Sequence, residues 1–306
     1  MASEGSPSSF DRVRFGAVCE SWGTAVKERR RLKTQVTQPP MLLIPSKDNN
    51  EKVRSLYSIT DRKISEVNLP IPYDKRCCGS SLGWLSFVTE TLCVTLFNPF
   101  RNEKIHLPQI SLFYEGVRRT YQYLVVKVML SSDPTSSRED CFVAAIFGKL
   151  NDLAFMKIGD ESWTYVDNDR KAVFSDILYF KGKILALDHR SGLISIDVNT
   201  CQEKLLAPGD LEYFMKTYLV ETSSGDLLLV QRFFFDQVNE NQQYQQFLTE
   251  CFEVYKLVLD DESGSVVERV KVKNIGDNAL FLGDNQSIAV FRFCLSGLPA
   301  ELHILH

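Results

Sequence analysis

From residue 39 onward the chain is a succession of short apolar runs cut by turn signals, and this pattern narrows its fold more than any other feature. Residues 41–44 (MLLI) are an apolar run between prolines. Residues 85–97 alternate loosely, 123–130 are rich in Val and Leu, and 142–147 form a compact apolar run. Residues 252–259 (FEVYKLVL) mix β-branched and aromatic side chains, and Val270 and Val272 alternate with Lys271 and Lys273 as in a half-buried strand. Lys181-Gly182-Lys183, Arg190-Ser191-Gly192, Ser224-Gly225-Asp226 and Ser263-Gly264-Ser265 punctuate the runs. No long helical period appears in this region. Many short strands at such spacing predict an all-β sandwich, barrel or propeller.

An internal repeat selects among these. Residues 83–108 (GWLSFVTETLCVTLFNPFRNEKIHLP) and 182–208 (GKILALDHRSGLISIDVNTCQEKLLAP) both run strand, turn, strand, turn with Glu-Lys, then a Leu-containing strand ending in Pro. Glu103-Lys104 and Glu203-Lys204 stand 100 residues apart. Two blades of roughly 50 residues each match that offset, so the repeat favours a β-propeller of kelch-like antiparallel blades.

Residues 10–33 read differently. Phe15, Val18, Trp22 and Val26 fall on one helical face, with Asp11 as a candidate N-cap. Residues 19–23 (CESWG) break the stretch in two. Residues 27–33 (KERRRLK) read as a solvated helix end, with a nuclear signal as the alternative. Residues 1–9 are Ser-rich and read as a disordered terminus without a secretory h-region. No apolar run approaches the roughly 18 residues of a membrane span. These features place the chain in the cytoplasm or nucleus, away from membranes.

The chemistry-bearing motifs point away from catalysis. Gly79-Ser80-Ser81-Leu82-Gly83 has the spacing of a nucleophile elbow, but that motif needs a strand before it and a helix after it, and here a strand follows. His106, His189, His303 and His306 have no metal-ligand spacing. Residues 188–192 (DHRSG) suit a hairpin turn, and Asp260-Asp261-Glu262 suits a solvated turn rather than a calcium loop. The eight cysteines carry no CxxC and read as reduced, structural residues. With 35 basic against 39 acidic residues, the charge gives no basic excess for nucleic acid. The reading is a non-enzymatic chain without cofactor or metal. A hydrolase-type propeller enzyme is the outlying alternative.

With these residues in view, a family resemblance emerges. Residues 11–26 (DRVRFGAVCESWGTAV) resemble the second half of a plant F-box. Residues 79–108, 176–197 (DILYFKGKILALDHRSGLISID) and 276–291 (GDNALFLGDNQSIAVF) resemble the KIB-type β-propeller, also catalogued as plant domain of unknown function 295. The resemblance implies three regions: 1–9 disordered, 10–34 partial F-box helices and 39–306 propeller. It implies a substrate-recognition subunit of a Skp–cullin–F-box E3 ubiquitin ligase, which has no catalytic residue of its own. Phe15, Val18, Cys19, Trp22 and Val26 would then face the Skp adaptor or pack the F-box remnant. The family's Leu-Pro-containing first helix is not matched, and the segment following residues 281–285 (FLGDN) is short. The expectation is therefore a truncated F-box with weakened or lost binding to the Skp adaptor and cullin ligase, and a propeller lacking its last closing strands. A propeller interaction module that no longer binds the adaptor is the alternative.

The unknown protein substrate is expected on exposed loops. Tyr114, Arg118, Arg119 and Tyr121 in one, and Phe235 and Tyr244 in the other, are residue types that interfaces favour. The first loop spans 114–121, and the second, 233–246, contains the Gln/Asn-rich stretch 236–246 (DQVNENQQYQQ). Packing of these aromatics beneath their own loops, and a disordered spacer at 236–246, remain the alternatives.

Overall fold

The computed structural model describes residues 41–44, 53–59, 61–69, 76–112, 123–136, 140–167, 172–209, 216–237, 246–276, 278–291 and 304–305. All belong to one compact unit, Pro39–His306. The helix read over 10–33 lies outside them, and no α-helix occurs among the described residues.

Each of the first five sheets is an antiparallel meander, in which each apolar run folds back on its predecessor. The first holds β1 (Met41–Ile44), β2 (Val53–Ser58) and β3 (Lys63–Asn68). The second holds β4 (Cys77–Ser81), β5 (Trp84–Val88), β6 (Cys93–Asn98) and β7 (Glu103–Gln109). The third has β8 (Val125–Leu130), β9 (Phe142–Phe147), β10 (Asp152–Lys157) and β11 (Thr164–Tyr165). The fourth has β12 (Phe174–Phe180), β13 (Lys183–Asp188), β14 (Leu193–Ile196) and β15 (Glu203–Ala207). The fifth has β16 (Lys216–Glu221), β17 (Leu227–Gln237), β18 (Gln246–Leu259) and β19 (Val266–Lys271). In the last, β20 (Asn278–Leu282) pairs with β21 (Ser287–Phe291) and, in parallel, with β22 (Ile304–Leu305).

The sheets stand as the blades of a propeller. Strand β4 touches β8, β8 touches β12, β12 touches β16 and β16 touches β21, so five sheets succeed one another through their inner strands. The core is correspondingly divided into wedges between neighbouring sheets. Trp84, Leu96 and Leu107 meet Val128, Phe147 and Trp163 in one wedge, and Ile146 and Phe155 meet Ile177 and Ile184 in the next. Leu187 and Leu206 meet Leu219 and Leu229 in a third, while Tyr218 and Val230 meet Leu280 in a fourth. The first sheet contributes at both ends of the succession: Leu43 packs with Phe87 and Phe97, and Ile59, just past β2, packs with Ala279 and Val290.

The repeat seen in the sequence maps onto strands β5–β7 and β13–β15, the last three strands of their sheets, with one sheet between them. The 100-residue offset therefore spans two blades. Left-handed backbone marks the expected turns: Lys181 (φ 47°) and Gly182 (φ 83°), Ser191 (φ 64°), Gly225 (φ 80°) and Gly264 (φ 66°). One strand reading needs correction. Val270 is exposed, opposite Lys256, whereas Arg269 stands opposite the buried Leu257 and donates to the carbonyl of Ser191. Strand β19 is an edge strand: Val267 and Val270 are exposed, whereas Val266 packs against the third wedge and Val272, just past the strand, against the fourth.

Candidate interaction surface

Polar groups placed between blades make a rigid frame from these wedges. Asp176 on β12 is buried, and its Oδ1 accepts from Lys127 Nζ on β8 and from the N–H of Ile177 at 2.8 Å. Its Oδ2 accepts from the N–H of Leu219 on β16 at 2.8 Å. One carboxylate thus ties three consecutive inner strands, and a buried charge is tolerated because it is both paired and hydrogen-bonded. Ser175 Oγ and Thr217 Oγ1 lie 2.6 Å apart across the same junction. Gln231 Nε2 donates to Ser191 Oγ at 3.0 Å, and Arg269 donates to the carbonyls of Ser191 and Pro208 at 2.9 and 3.0 Å.

The junction between the second and third sheets is built around Asp133. Its carboxylate accepts from Trp84 Nε1 at 3.1 Å and from the N–H and Oγ1 of Thr135 at 3.0 and 2.8 Å, with Arg101 at 3.6 Å. Partial burial opposes ionisation here, but the Thr135 bonds, Trp84 and Arg101 outweigh it and hold the carboxyl below its usual range. At the other end of these strands, Arg76 donates to the carbonyls of Val125 and Val126 and lies over the Tyr123 ring at 5.7 Å. Gly79 belongs to the same junction: a Cβ there would sit 2.3 Å from the carbonyl oxygen of Val128, so only glycine lets β4 approach β8.

The sequence motifs that resembled chemistry are architectural. Ser80 and Ser81 of the Gly79–Gly83 stretch pair with Leu85 and Trp84, and Leu82 (φ 54°) and Gly83 (φ 83°) make the hairpin turn between β4 and β5. A nucleophile elbow would need a helix there. Asp188 Oδ1 accepts from the N–H of Arg190 at 2.8 Å and of Gly192 at 2.7 Å, capping the β13–β14 turn. Asp260 accepts from the N–H of Ser263 in the β18–β19 turn. His106 pairs with Thr95 Oγ1 at 3.1 Å. Among the described residues, no group of three or more His, Cys, Asp or Glu is placed to hold a metal ion. No helix among them is long and apolar enough to cross a membrane.

Six cysteines are described, all free thiols. Burial pushes the Cys77, Cys78 and Cys141 thiols up, as expected of structural cysteines. Cys201 and Cys251 depart from that reading: both are exposed, one in the β14–β15 turn (φ 56°) and one on β18.

The candidate binding residues fall mostly outside the described residues. That holds for Phe15, Val18, Cys19, Trp22 and Val26, and for Tyr114, Arg118, Arg119, Tyr121 and Tyr244. Phe235 is placed by its backbone: it lies in β17 opposite Leu248, not in a loop. Strands β17 and β18 carry 11 and 14 residues, whereas every other strand among the described residues has two to seven. Their pairing runs on to Gln237↔Gln246, so most of the connection read as beginning at residue 236 lies in 238–245. This ribbon was not legible because its second strand opens on Gln246 at the end of a Gln/Asn-rich stretch, and Thr249 and Glu250 interrupt its apolar pattern. At its base, Arg232 Nε donates to Thr249 Oγ1 at 2.8 Å and its guanidinium lies 4.3 Å from the centroid of Phe234. Tyr218 lies beneath, and burial pushes its hydroxyl up to about 12 against the lowering effect of Arg232.

Residues 56–298 match the KIB1-4 beta-propeller. The chain belongs to that family. It is similar to the F-box protein SKIP23 of Arabidopsis thaliana, 26% identical over 330 residues that cover 94% of this chain and 77% of the relative. It is also similar to the F-box protein At2g17036 of Arabidopsis thaliana, 22% identical over 310 residues, covering 92% and 74%. Among solved structures it resembles the Cps50 (Swd1) beta-propeller domain of Myceliophteria thermophila, with 12% identity and a TM-score of 0.36, covering 77% of this chain and 88% of that one.

Proposed function

We propose that this chain recognises a protein and delivers it to a Skp–cullin–F-box ubiquitin ligase, in the cytoplasm or nucleus and without catalysis of its own. Residues 10–34 would dock the Skp adaptor through Phe15, Val18, Cys19, Trp22 and Val26, while the KIB-type propeller holds the target. The observation that carries this reading is the extent of the similarity. Relatives named F-box proteins align over 94% and 92% of the chain, not over the propeller alone. The polar groups of the frame support it, since Asp176, Asp133 and Asp188 are all engaged in joining strands or capping turns.

The test is a titration of purified Skp adaptor into the full 306-residue chain and its Phe15→Ala/Trp22→Ala variant. Weak binding by the parent chain that the variant loses is the expected result. Absence of binding by the parent chain would overturn the ligase reading and leave a propeller that binds proteins outside a ligase. Equal binding by both chains would move the docking surface away from residues 10–34.

A further inference from the structure

The β17–β18 ribbon is the part of the propeller that the blade architecture does not account for. Strand β16 ends its pairing with β17 at Lys216↔Arg232, and β19 ends its pairing with β18 at Lys271↔Tyr255. Beyond those points only β17 and β18 continue together, through Phe233↔Cys251, Phe234↔Thr249 and on to Gln237↔Gln246. A two-stranded ribbon is marginal in water, and a third strand is what ordinarily secures one. The outer edge of β18 has no partner strand among the described residues from Gln246 to Glu253.

The backbone along that edge faces outward. The N–H of Val272 donates to the carbonyl of Val254 at 2.7 Å, so Val254 turns its polar groups to the edge, and by the alternation of an antiparallel strand Phe252 does so too. Between Phe233 and Phe234 the register slips, leaving Glu250 without an opposite residue on β17. Such a bulge re-aims its side chain, and Glu250 and Cys251 are both exposed. The neighbouring Glu253 is differently placed, because its carboxylate already accepts from Lys271 Nζ and the Tyr255 hydroxyl.

We propose that this edge, from Thr249 to Glu253, takes up an extended segment of another protein as an added β-strand, with a lysine or arginine of that segment against Glu250. The backbone edge dictates the conformation of the occupant, and the glutamate dictates its charge. A second copy of this chain fits poorly. Two-fold pairing centred on this stretch, at Cys251, sets Glu250 against Phe252 of the other copy, so a second copy offers no cation to the glutamate. The proposal rests on the target-recognition reading and deepens it. Its test contains no Skp adaptor, so either can fail alone.

The probes are three synthetic heptapeptides of alternating pattern: Thr-Val-Lys-Val-Thr-Val-Lys, the same with glutamate for lysine, and the lysine peptide with alternate backbone amides N-methylated. Each is titrated into the full chain and its Glu250→Lys variant at low salt, with hydrogen exchange followed by mass spectrometry. The lysine peptide is expected to bind at least tenfold more tightly than either of the others and to slow exchange in the segment spanning Thr249 to Glu253. Glu250→Lys is expected to reverse the charge preference. The substitution is at an exposed position, and an unchanged circular dichroism spectrum verifies folding. Equal binding of the N-methylated peptide would overturn the proposal, as it would show charge attraction without strand addition. Protection elsewhere, no binding by any peptide, or dimerisation of the chain through this edge would overturn it as well.

Discussion

Replacing Lys127 by methionine should be among the most damaging single changes to this propeller. Lys127 and Asp176 are 5% and 1% exposed, and the carboxylate between them joins β8, β12 and β16. Lys127→Met keeps the volume of the side chain and removes its charge, so Asp176 keeps its two backbone N–H donors but loses its counter-charge. Breaking a buried pair from one side costs about 3–5 kcal/mol, far above the 0–1 kcal/mol of a surface pair such as Lys256–Asp226. For a unit of this size that corresponds to a fall of roughly 6–10 °C in melting temperature. The double variant Lys127→Met/Asp176→Leu removes both charges, and its remaining cost is about 1–3 kcal/mol for each amide, Ile177 or Leu219, left without an acceptor. The two single changes should therefore not add. Urea denaturation at neutral pH, followed through the buried indoles of Trp84 and Trp163, measures all three variants. A loss below about 1 kcal/mol for Lys127→Met would refute the argument that this pair carries its charge in a dry junction.

Three further predictions follow from single positions. Gly79→Ala should destabilise by about 1–3 kcal/mol or more in a thermal melt, because its new methyl meets the Val128 carbonyl backbone and no flexible side chain can yield; an unchanged melting temperature would contradict the close approach of β4 to β8. Leu82→Asn should stabilise by about 1 kcal/mol, since Leu82 is 56% exposed at φ 54°, a conformation that asparagine tolerates and leucine does not; a loss of stability would mean that the leucine packs where it looks exposed. The third concerns acid. Asp133 has a folded pKa below its value of 3.8 in the free side chain, so its contribution to stability is present above pH 3.8 and is lost as pH falls through the lower folded value. Asp133→Asn should flatten that part of the stability–pH curve, and an acid limb identical to the parent's would show that the Thr135 and Trp84 bonds do not favour the ionised form.

Much of the fold was legible in the residues because strands and hairpin turns are local events. The run 142–147 is strand β9 to the residue, and 41–44 is β1, since a short apolar run between breakers is by itself a strand signal. The pairing of Glu103-Lys104 with Glu203-Lys204 carried the blade period, because both open the last strand of a blade. The same local logic misjudged 246–251, where Gln246, Thr249 and Glu250 interrupt the apolar pattern while the backbone ladder with β17 runs on, made by groups that any side chain can accompany. It also took Val270 for a buried face, since exposure on an edge strand depends on what lies outside it.

What the amino-acid sequence determined by itself was a chain of antiparallel meanders, folded by neighbours in sequence, together with its likeness to the KIB-type propeller and the plant F-box. What only the tertiary structure decided was how those meanders are joined. Lys127 and Asp176 are 49 residues apart, Leu219 is 43 residues further on, and Trp84 and Asp133 are separated by 49. Each contact is made across two different blades, at a spacing set by the length of a whole blade rather than by any helical or strand period. A lone buried lysine or aspartate gives no local sign of its partner. Its partner exists only once the blades stand side by side and exclude the water that would otherwise solvate the charge.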